Sequence, residues 1–262
     1  MIFNMTIYQV DAFNTKIFKG NPAAVCPLTA WISTELMQSI AEENNLSETV
    51  FFVKNNDYFE IKWFTPTCEI DLCGHATLAA AHIIFTELNF EHSIIEFHSK
   101  SGILTVKKNE DWYTLNFPSE EIKEIETPSI LKQVLNVPIL KTYKGKWKLV
   151  VELENETTVL NLNPNFSLLA ELESNGIIVT SKGDNFDFVS RFFAPKIGIN
   201  EDPVTGSAHT LLIPYWAKKL NKTNLEAIQL SKRVGILKCK HLNERVEISG
   251  QAITYLKGEL TL

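Results

Sequence analysis

The chain has 262 residues, 45% of them hydrophobic and 21% charged, a composition typical of a globular protein whose length suits about two domains. Its net charge of −6 and its scattered lysines and arginines do not form the basic surface that nucleic-acid binding needs, and no apolar run is long enough to span a membrane. With no recognisable signal peptide and four cysteines in no pairing pattern, the sequence is typical of a cytoplasmic protein without nucleic-acid or membrane partners.

The first half of the chain is predicted to contain many strands and two helices. A helix capped by Ser33 or Thr34 ends at Asn44, and a second helix, apolar on nearly all sides, runs from Gly74 to Leu88. Hydrophobic periodicity and turn residues predict strands at 6–13, 23–26, 49–54, 59–64, 93–97, 102–107 and 112–116.

The second half gives a similar series, again with one long apolar helix, from about Ser207 to Leu220. A helix that is apolar all round must be enclosed by other elements. We therefore predict that each half is a curved sheet wrapped around one central helix. The strands expected in this half are 146–153, 176–179, 186–193, 228–230, 235–240, 245–249 and 252–255.

The two central helices begin in related sequence segments, FTPTCEIDLCGHA at 64–76 and FAPKIGINEDPVTGSA at 193–208. Each segment starts with Phe-x-Pro, continues through an acidic loop and reaches a glycine, Gly74 or Gly206, at the start of the helix. These glycines are 132 residues apart, and Gly102-Ile103-Leu104 recurs 133 residues later. A period this long indicates two similar domains, not a solenoid.

The predicted fold class is therefore α+β, with two similar domains that each consist of a rolled, mostly antiparallel sheet around a central helix. We assign the first domain to residues 1–117 and the second to residues 118–262. The C-terminal strand, at about 252–262, is expected to pack back onto the first domain.

The starts of the two central helices are candidate anion sites. The first N–H groups of a helix have no partner within it, and the helix dipole places about half a positive charge there. Gly74-His75 and Gly206-Ser207 put small or hydrogen-bonding residues at these ends, so that a carboxylate could approach the backbone closely. Glu48, at the start of the apolar run Val50-Phe51-Phe52, is a candidate acid/base.

Four motifs together resemble the PhzF-like isomerase family of phenazine biosynthesis: GNPAAV at 20–25, LSET at 46–49, CGHATLAAA at 73–81 and EDPVTGSA at 201–208. The resemblance extends nearly from end to end of the chain. It implies a diaminopimelate epimerase-like fold with the active site between two domains. It also implies a homodimer that works without metal or organic cofactor.

The same resemblance implies roles for individual residues. Glu48 matches the catalytic acid/base glutamate of the family, His75 and Asp202 match further catalytic positions, and Ser207 matches an active-site polar position. Gly74 and Gly206 match the helix starts that bind oxyanions and carboxylates, and we group Cys73 with these substrate-binding residues.

The cysteines distinguish between two kinds of isomerase. Related epimerases place one thiol before each glycine; Cys73 occupies the first position, whereas residues 202–204 of the second copy are Asp-Pro-Val. A racemase with two thiols is therefore disfavoured. We predict a cofactor-independent isomerase that moves a proton and a double bond on a small carboxylate-bearing metabolite. The alternatives are an amino-acid epimerase or racemase, with Glu48 and Asp202 as its pair, and a metabolite-binding protein with little catalysis.

Overall fold

The computed structural model describes residues 4–262, which form two compact units. The first unit comprises the chain up to Asn116 together with Ser249–Leu262, and the second comprises Phe117–Ile248. The assignment of 1–117 and 118–262 as epimerase-like domains remains a prediction, and residues 1–3 of the first domain lie outside the described residues.

The first unit is a mixed sheet with two helices. Its order along the chain is β1 (Asn4–Ala12), β2 (Asn21–Leu28), α1 (Thr34–Asn44), β3 (Glu48–Lys54), β4 (Phe59–Phe64), β5 (Glu69–Ile70), α2 (Gly74–Glu87), β6 (Ile94–Ser99), β7 (Gly102–Asn109) and β8 (Trp112–Pro118). Most neighbouring strands are antiparallel, but β2 pairs parallel with β3 and β4 pairs parallel with β6.

The two helices of the first unit are buried to very different degrees. In α2, 11 of the 14 residues are buried, from His75 to Phe85 without interruption. In α1, by contrast, only Met37, Ile40 and Ala41 are buried. Phe51 of β3 belongs to the same apolar cluster as these α1 residues. The apolar character of α2 thus accounts for its enclosure, whereas α1 covers the sheet with one face only.

The second unit contains β9 (Lys123–Ile125), α3 (Ser129–Leu135), β10 (Lys141–Lys144), β11 (Leu149–Glu152), α4 (Glu156–Leu160), α5 (Phe166–Ala170), β12 (Ile177–Lys182), β13 (Phe188–Ala194), β14 (Ile199–Asp202), α6 (Gly206–Leu220), β15 (Asn224–Gln229), β16 (Gly235–Leu242) and β17 (Arg245–Gly250). Eight residues of α6 are buried. The short helices α3–α5 supply Leu131, Val159 and Leu169 to a separate apolar cluster with Val179 and Phe193 of the sheet.

The strand pairings of the two units correspond. In the first unit, β4 is antiparallel to β3 and β5 and parallel to β6. In the second, β13 is antiparallel to β12 and β14 and parallel to β15. The central helix follows the short strand in both cases, after β5 and after β14. The repeated Phe-x-Pro-to-Gly segment thus marks one strand–helix unit that occurs twice.

The last strand, β18 (Ala252–Thr261), belongs to the first unit and pairs antiparallel with β1, from Asn4↔Thr261 to Ala12↔Ala252. The structure also contains elements that the sequence pattern did not predict: β9, β10, the short helices α3–α5, and the strands β5 and β14 in the two segments interpreted as acidic loops. Each of them has only two to seven residues, which is too few for a hydrophobic period to be recognised.

Within residues 4–262, none of the helices combines the length and apolar character needed to cross a membrane.

His82 connects α2 to two strands of the first unit. Its Nδ1 lies 3.0 Å from the Tyr113 hydroxyl on β8, and its Nε2 lies 3.0 Å from the Thr254 hydroxyl on β18. Burial lowers the pKa of His82 to about 4. The fold therefore holds this histidine neutral between two hydroxyl groups.

The lowered pKa of His82 predicts a loss of stability in acid. Below pH 6.5 the unfolded chain takes up a proton at this histidine, whereas the folded chain does so only near pH 4. Stability should therefore fall as the pH drops from 6.5 towards 4, by at most about 1.4 kcal/mol per pH unit from this residue. Urea unfolding at several pH values should show a shallower acid slope for His82→Gln than for the wild type. The matched change at the exposed His92 should leave the slope unaltered; equal slopes for wild type and His82→Gln would contradict the prediction.

Candidate active site

Glu48 and His75 form a buried pair in the first unit. Glu48 is the first residue of β3 and His75 the second residue of α2, and they are 8% and 5% exposed. Glu48 Oε2 lies 3.0 Å from His75 Nε2. The two groups are close enough for ionic contact but are not aligned as a hydrogen bond, and neither atom has a hydrogen-bond partner among the described residues. A buried carboxylate oxygen and an imidazole nitrogen thus retain hydrogen-bonding capacity at the same place.

Asn21 and Cys73 surround the other nitrogen of the His75 ring. Asn21 Nδ2 and Cys73 Sγ lie 3.2 Å and 3.5 Å from His75 Nδ1. Three of the sequence motifs, GNPAAV, LSET and CGHATLAAA, therefore contribute to one cluster. No role for Asn21 is predictable from its motif, because a Gly-Asn-Pro run also serves as a simple turn.

Gly20 fixes the chain where it enters β2 just before Asn21. Its φ is +67°, and a Cβ at this position would lie 2.1 Å from the carbonyl oxygen of Ala12. Only glycine tolerates both the left-handed backbone and this close approach. The glycine of GNPAAV therefore determines how the Asn21 side chain reaches His75.

The pKa values of Cys73 and His75 depend on each other and on Glu48. Burial raises the pKa of the Cys73 thiol, and the Glu48 carboxylate raises it further. Burial alone lowers the pKa of His75, but Cys73 and Glu48 act in the opposite direction and the pKa ends well above its usual value. The raised pKa of His75 therefore depends on Cys73 and Glu48 together.

Both central helices begin without a side-chain cap. Cys73 and Thr205 are the N-cap residues of α2 and α6, both have extended backbones, and neither side chain accepts a hydrogen bond from its helix. Neither helix has an acidic residue in its first turn. The helix starts at Gly74 and Gly206 therefore have no carboxylate of their own helix to offset the positive end of the dipole.

In the second unit, Asp202 ends β14 and is held by a buried network. The Thr205 hydroxyl donates to Asp202 Oδ2 at 2.5 Å. Gln229, which is fully buried, donates from Nε2 to the Asp202 carbonyl oxygen at 2.8 Å and accepts at Oε1 from the Thr205 N–H at 2.9 Å. Ser207, in the first turn of α6, is exposed. Gln229 lies outside every motif, so sequence reasoning had no signal for it.

The predicted site residues thus fall into two groups. Glu48, Cys73, Gly74 and His75 come together in the first unit, and Asp202, Gly206 and Ser207 lie close along the chain in the second. His209, two residues beyond Ser207, is fully buried; its Nδ1 lies 2.8 Å from the Thr205 carbonyl oxygen, and burial lowers its pKa to about 4. His209 therefore acts as a neutral core residue at the base of α6.

Comparison with known proteins identifies the class to which this fold and site belong. The structure superposes with a TM-score of 0.97 on a crystal structure described as a phenazine biosynthesis protein PhzF family member from Enterococcus faecalis; the two are 47% identical, and 99% of this chain and 100% of that chain are covered. A hydroxyproline epimerase from Agrobacterium vitis shares only the fold, at 8% identity and a TM-score of 0.61 over 99% of this chain and 93% of that one. The predicted α+β, diaminopimelate epimerase-like fold class is confirmed.

The sequence places the chain within one family. Residues 10–258 match the PhzC-PhzF family model, described as phenazine biosynthesis-like protein, and the chain belongs to this family. A relative described as an uncharacterized isomerase from Halalkalibacterium halodurans is 49% identical over 261 residues, with 98% of both chains covered. The prediction of a PhzF-like isomerase is therefore confirmed at the level of its class.

Gln229 should contribute measurably to the stability of the second unit. Gln229→Leu removes the partners of the Asp202 carbonyl oxygen and the Thr205 N–H, and an unsatisfied buried group costs about 1–3 kcal/mol. We expect a loss of this size in the free energy of unfolding measured with urea.

Gln38 provides the matched control for this change. It is only half-buried and makes one hydrogen bond, from Nε2 to the Thr65 carbonyl oxygen at 2.9 Å. Gln38→Leu should cost clearly less than Gln229→Leu. Equal losses for the two variants would rule out a special role for the Gln229 network.

Proposed function

We propose that this protein is a cofactor-independent isomerase that moves a proton, and with it a double bond, within a small carboxylate-bearing metabolite. The observation that carries the proposal is the buried Glu48–His75 pair, in which Oε2 and Nε2 are 3.0 Å apart and neither has a hydrogen-bond partner among the described residues. A buried polar group without a hydrogen bond calls for an explanation, and a catalytic role for the Glu48–His75 pair supplies one.

In the proposed reaction, Glu48 acts as the general base and then as the general acid. Its carboxylate removes a proton from a C–H bond next to an electron-withdrawing group, and the electron pair of that bond moves into the conjugated system. The protonated Glu48 then returns the proton at a different carbon, so that the double bond shifts and no electrons are gained or lost. Such transfer requires hydrogen-bond reach between the carboxylate and the substrate carbon.

His75 has the role of stabilising the negative charge that develops in the enol-like intermediate. Cys73 and Glu48 raise the pKa of His75, and a positive ring donates from both nitrogens, so the Asn21 amide restrains the ring when its Oδ1, not its Nδ2, faces Nδ1. A preorganised positive group in a buried site stabilises developing charge more effectively than water does. The proposed role of Glu48 as the base and that of His75 as the charge-stabilising group thus depend on each other.

Substrate binding is assigned to the two uncapped helix starts. The first N–H groups of α2, beginning at Gly74 next to Cys73, suit a carboxylate or carbonyl oxygen. Gly206 and Ser207 offer the same chemistry at the start of α6. We propose that Asp202, held by Thr205, contributes to catalysis by orienting the substrate. The homodimer is a further prediction that rests on the resemblance to the family, and the cytoplasmic location is one that rests on the cysteine pattern and the lack of a recognisable signal peptide.

The change Glu48→Gln tests the proposal directly, because it keeps the shape of the side chain and removes the base. Proton exchange and isomerisation should be followed by NMR in heavy water, with a panel of small unsaturated and amino carboxylates. Turnover by the variant should fall by a factor on the order of 10²–10⁴, the usual contribution of a general acid or base. Glu43→Gln, at an exposed position five residues earlier, is the matched control and should remain active.

The products of the same experiment separate the alternatives. A shifted double bond supports the isomerase, whereas loss of the Cα proton signal without such a shift would indicate an epimerase. Substrate binding without any exchange by the wild type would favour a metabolite-binding protein. Full activity of Glu48→Gln would refute the assignment of Glu48 as the base.

A further inference from the structure

The ligand atoms of Glu48, Cys73 and His75 lie within 4.8 Å of one another. Among residues 4–262 they form the one group of three buried carboxylate, thiol and imidazole side chains with such spacing. Each of these side chains is buried, and Glu48 Oε2 and His75 Nε2 have no hydrogen-bond partner among the described residues. One carboxylate oxygen, one imidazole nitrogen and one sulfur are the ligand types that zinc binds in proteins.

From this arrangement we propose that Glu48, Cys73 and His75 form a site for one Zn²⁺ ion, and that the bound ion inhibits the enzyme. Tetrahedral zinc with bonds of about 2.0–2.3 Å places its ligands roughly 3.3–3.8 Å apart. Cys73 Sγ lies near His75 Nδ1 and Glu48 Oε2 lies near Nε2, so the imidazole ring or the Cys73 side chain has to rotate for all three ligand atoms to face one ion. Three protein ligands leave the fourth position for water, as in open zinc sites.

The composition of the cluster determines which ions it selects. A thiolate is a soft ligand that favours zinc, cobalt and cadmium over magnesium and calcium, which prefer oxygen ligands. Coordination requires the thiolate and the neutral imidazole, so the protons of Cys73 and His75 pass to solvent when the ion binds. Because the ligands are placed by the start of β3 and the start of α2, no loop has to fold around the ion.

Bound zinc should inhibit the enzyme because it occupies the same atoms of Glu48 and His75 that the proposed reaction uses. A carboxylate that is bound to Zn²⁺ cannot accept a proton from a substrate carbon, and a metal-bound imidazole no longer carries the positive charge that stabilises the intermediate. This part of the inference rests on the proposed function, whereas the binding of the ion does not. An enzyme without a thiol at position 73 would lack the third ligand and should be much less sensitive to zinc.

Cobalt provides a direct measurement of binding, because Co²⁺ is spectroscopically visible where Zn²⁺ is silent. Chelator-treated full-length protein should be titrated with Co²⁺ under reducing conditions. We expect one ion per chain, with a thiolate-to-cobalt charge-transfer band that Zn²⁺ abolishes. Cys73→Ser should remove the band and weaken binding by more than about 100-fold, which exceeds the usual effect of losing an outer-shell partner.

Cys68 is the matched control, since it is the exposed thiol of the chain. Cys68→Ser should bind Co²⁺ as the wild type does. A band that survives Cys73→Ser, or that disappears in Cys68→Ser, would overturn the proposal, as would the absence of one-to-one binding by the wild type. Zn²⁺, but not Mg²⁺, should also raise the thermal unfolding temperature of the wild type by mass action, and this effect should be absent in Cys73→Ser. A cooperative thermal transition of Cys73→Ser in the same experiment verifies that the variant is folded.

The inhibitory step has its own test. Zn²⁺ at the concentration that saturates the cobalt site should stop Glu48-dependent proton exchange by the wild type, and a chelator should restore it. Cobalt binding without any exchange activity would support the metal site and would count against the proposed isomerase. Activity that persists when the site is filled with zinc would refute inhibition.

Discussion

The structure of the first unit depends on the enclosure of α2. This helix is apolar on all sides and buries 11 of its 14 residues, so the surrounding sheet must close around it. The enclosure also buries Cys73 and His75 at the start of the helix. The same packing that stabilises the fold therefore creates the low-dielectric surroundings in which Glu48 and His75 meet. The burial of α2 thus accounts both for the stability of the first unit and for the surroundings of Glu48 and His75.

Burial and the neighbouring groups have opposite effects on the pKa of His75. The balance between them determines whether the ring can stabilise negative charge. Burial disfavours the positive imidazolium, but the contacts of His75 with Glu48 and Cys73 favour it more strongly. For His82, seven residues along the same helix, the partners are the hydroxyls of Tyr113 and Thr254, and burial prevails. The pKa values of two histidines on one helix thus move in opposite directions because the groups around each ring differ.

The two units share a strand–helix device but differ in the residues placed at its glycine. Cys73 and His75 flank Gly74 in the first unit, whereas Thr205 and Ser207 flank Gly206 in the second. The second copy thus has a hydroxyl where the first has a thiol, and Thr205 is engaged with Asp202. This asymmetry separates the protein from an enzyme with two equivalent thiols. The buried amide of Gln229 holds Asp202 and Thr205 in the second copy, whereas the buried amide of Asn21 contacts His75 in the first.

The sequence by itself determined the central helices, the strands around them, the repeated glycine device and the family, because hydrophobic period, turn residues and motif spacing are local properties of the chain. The short helices α3–α5 and the roles of Asn21 and Gln229 were not predictable in this way, since no local pattern marks them. Only the tertiary structure brought Asn21, Glu48 and His75 together across 54 residues of chain. Contacts of this kind depend on strand pairing and helix enclosure, which place distant segments side by side and decide whether burial or a neighbouring charge sets the state of each group.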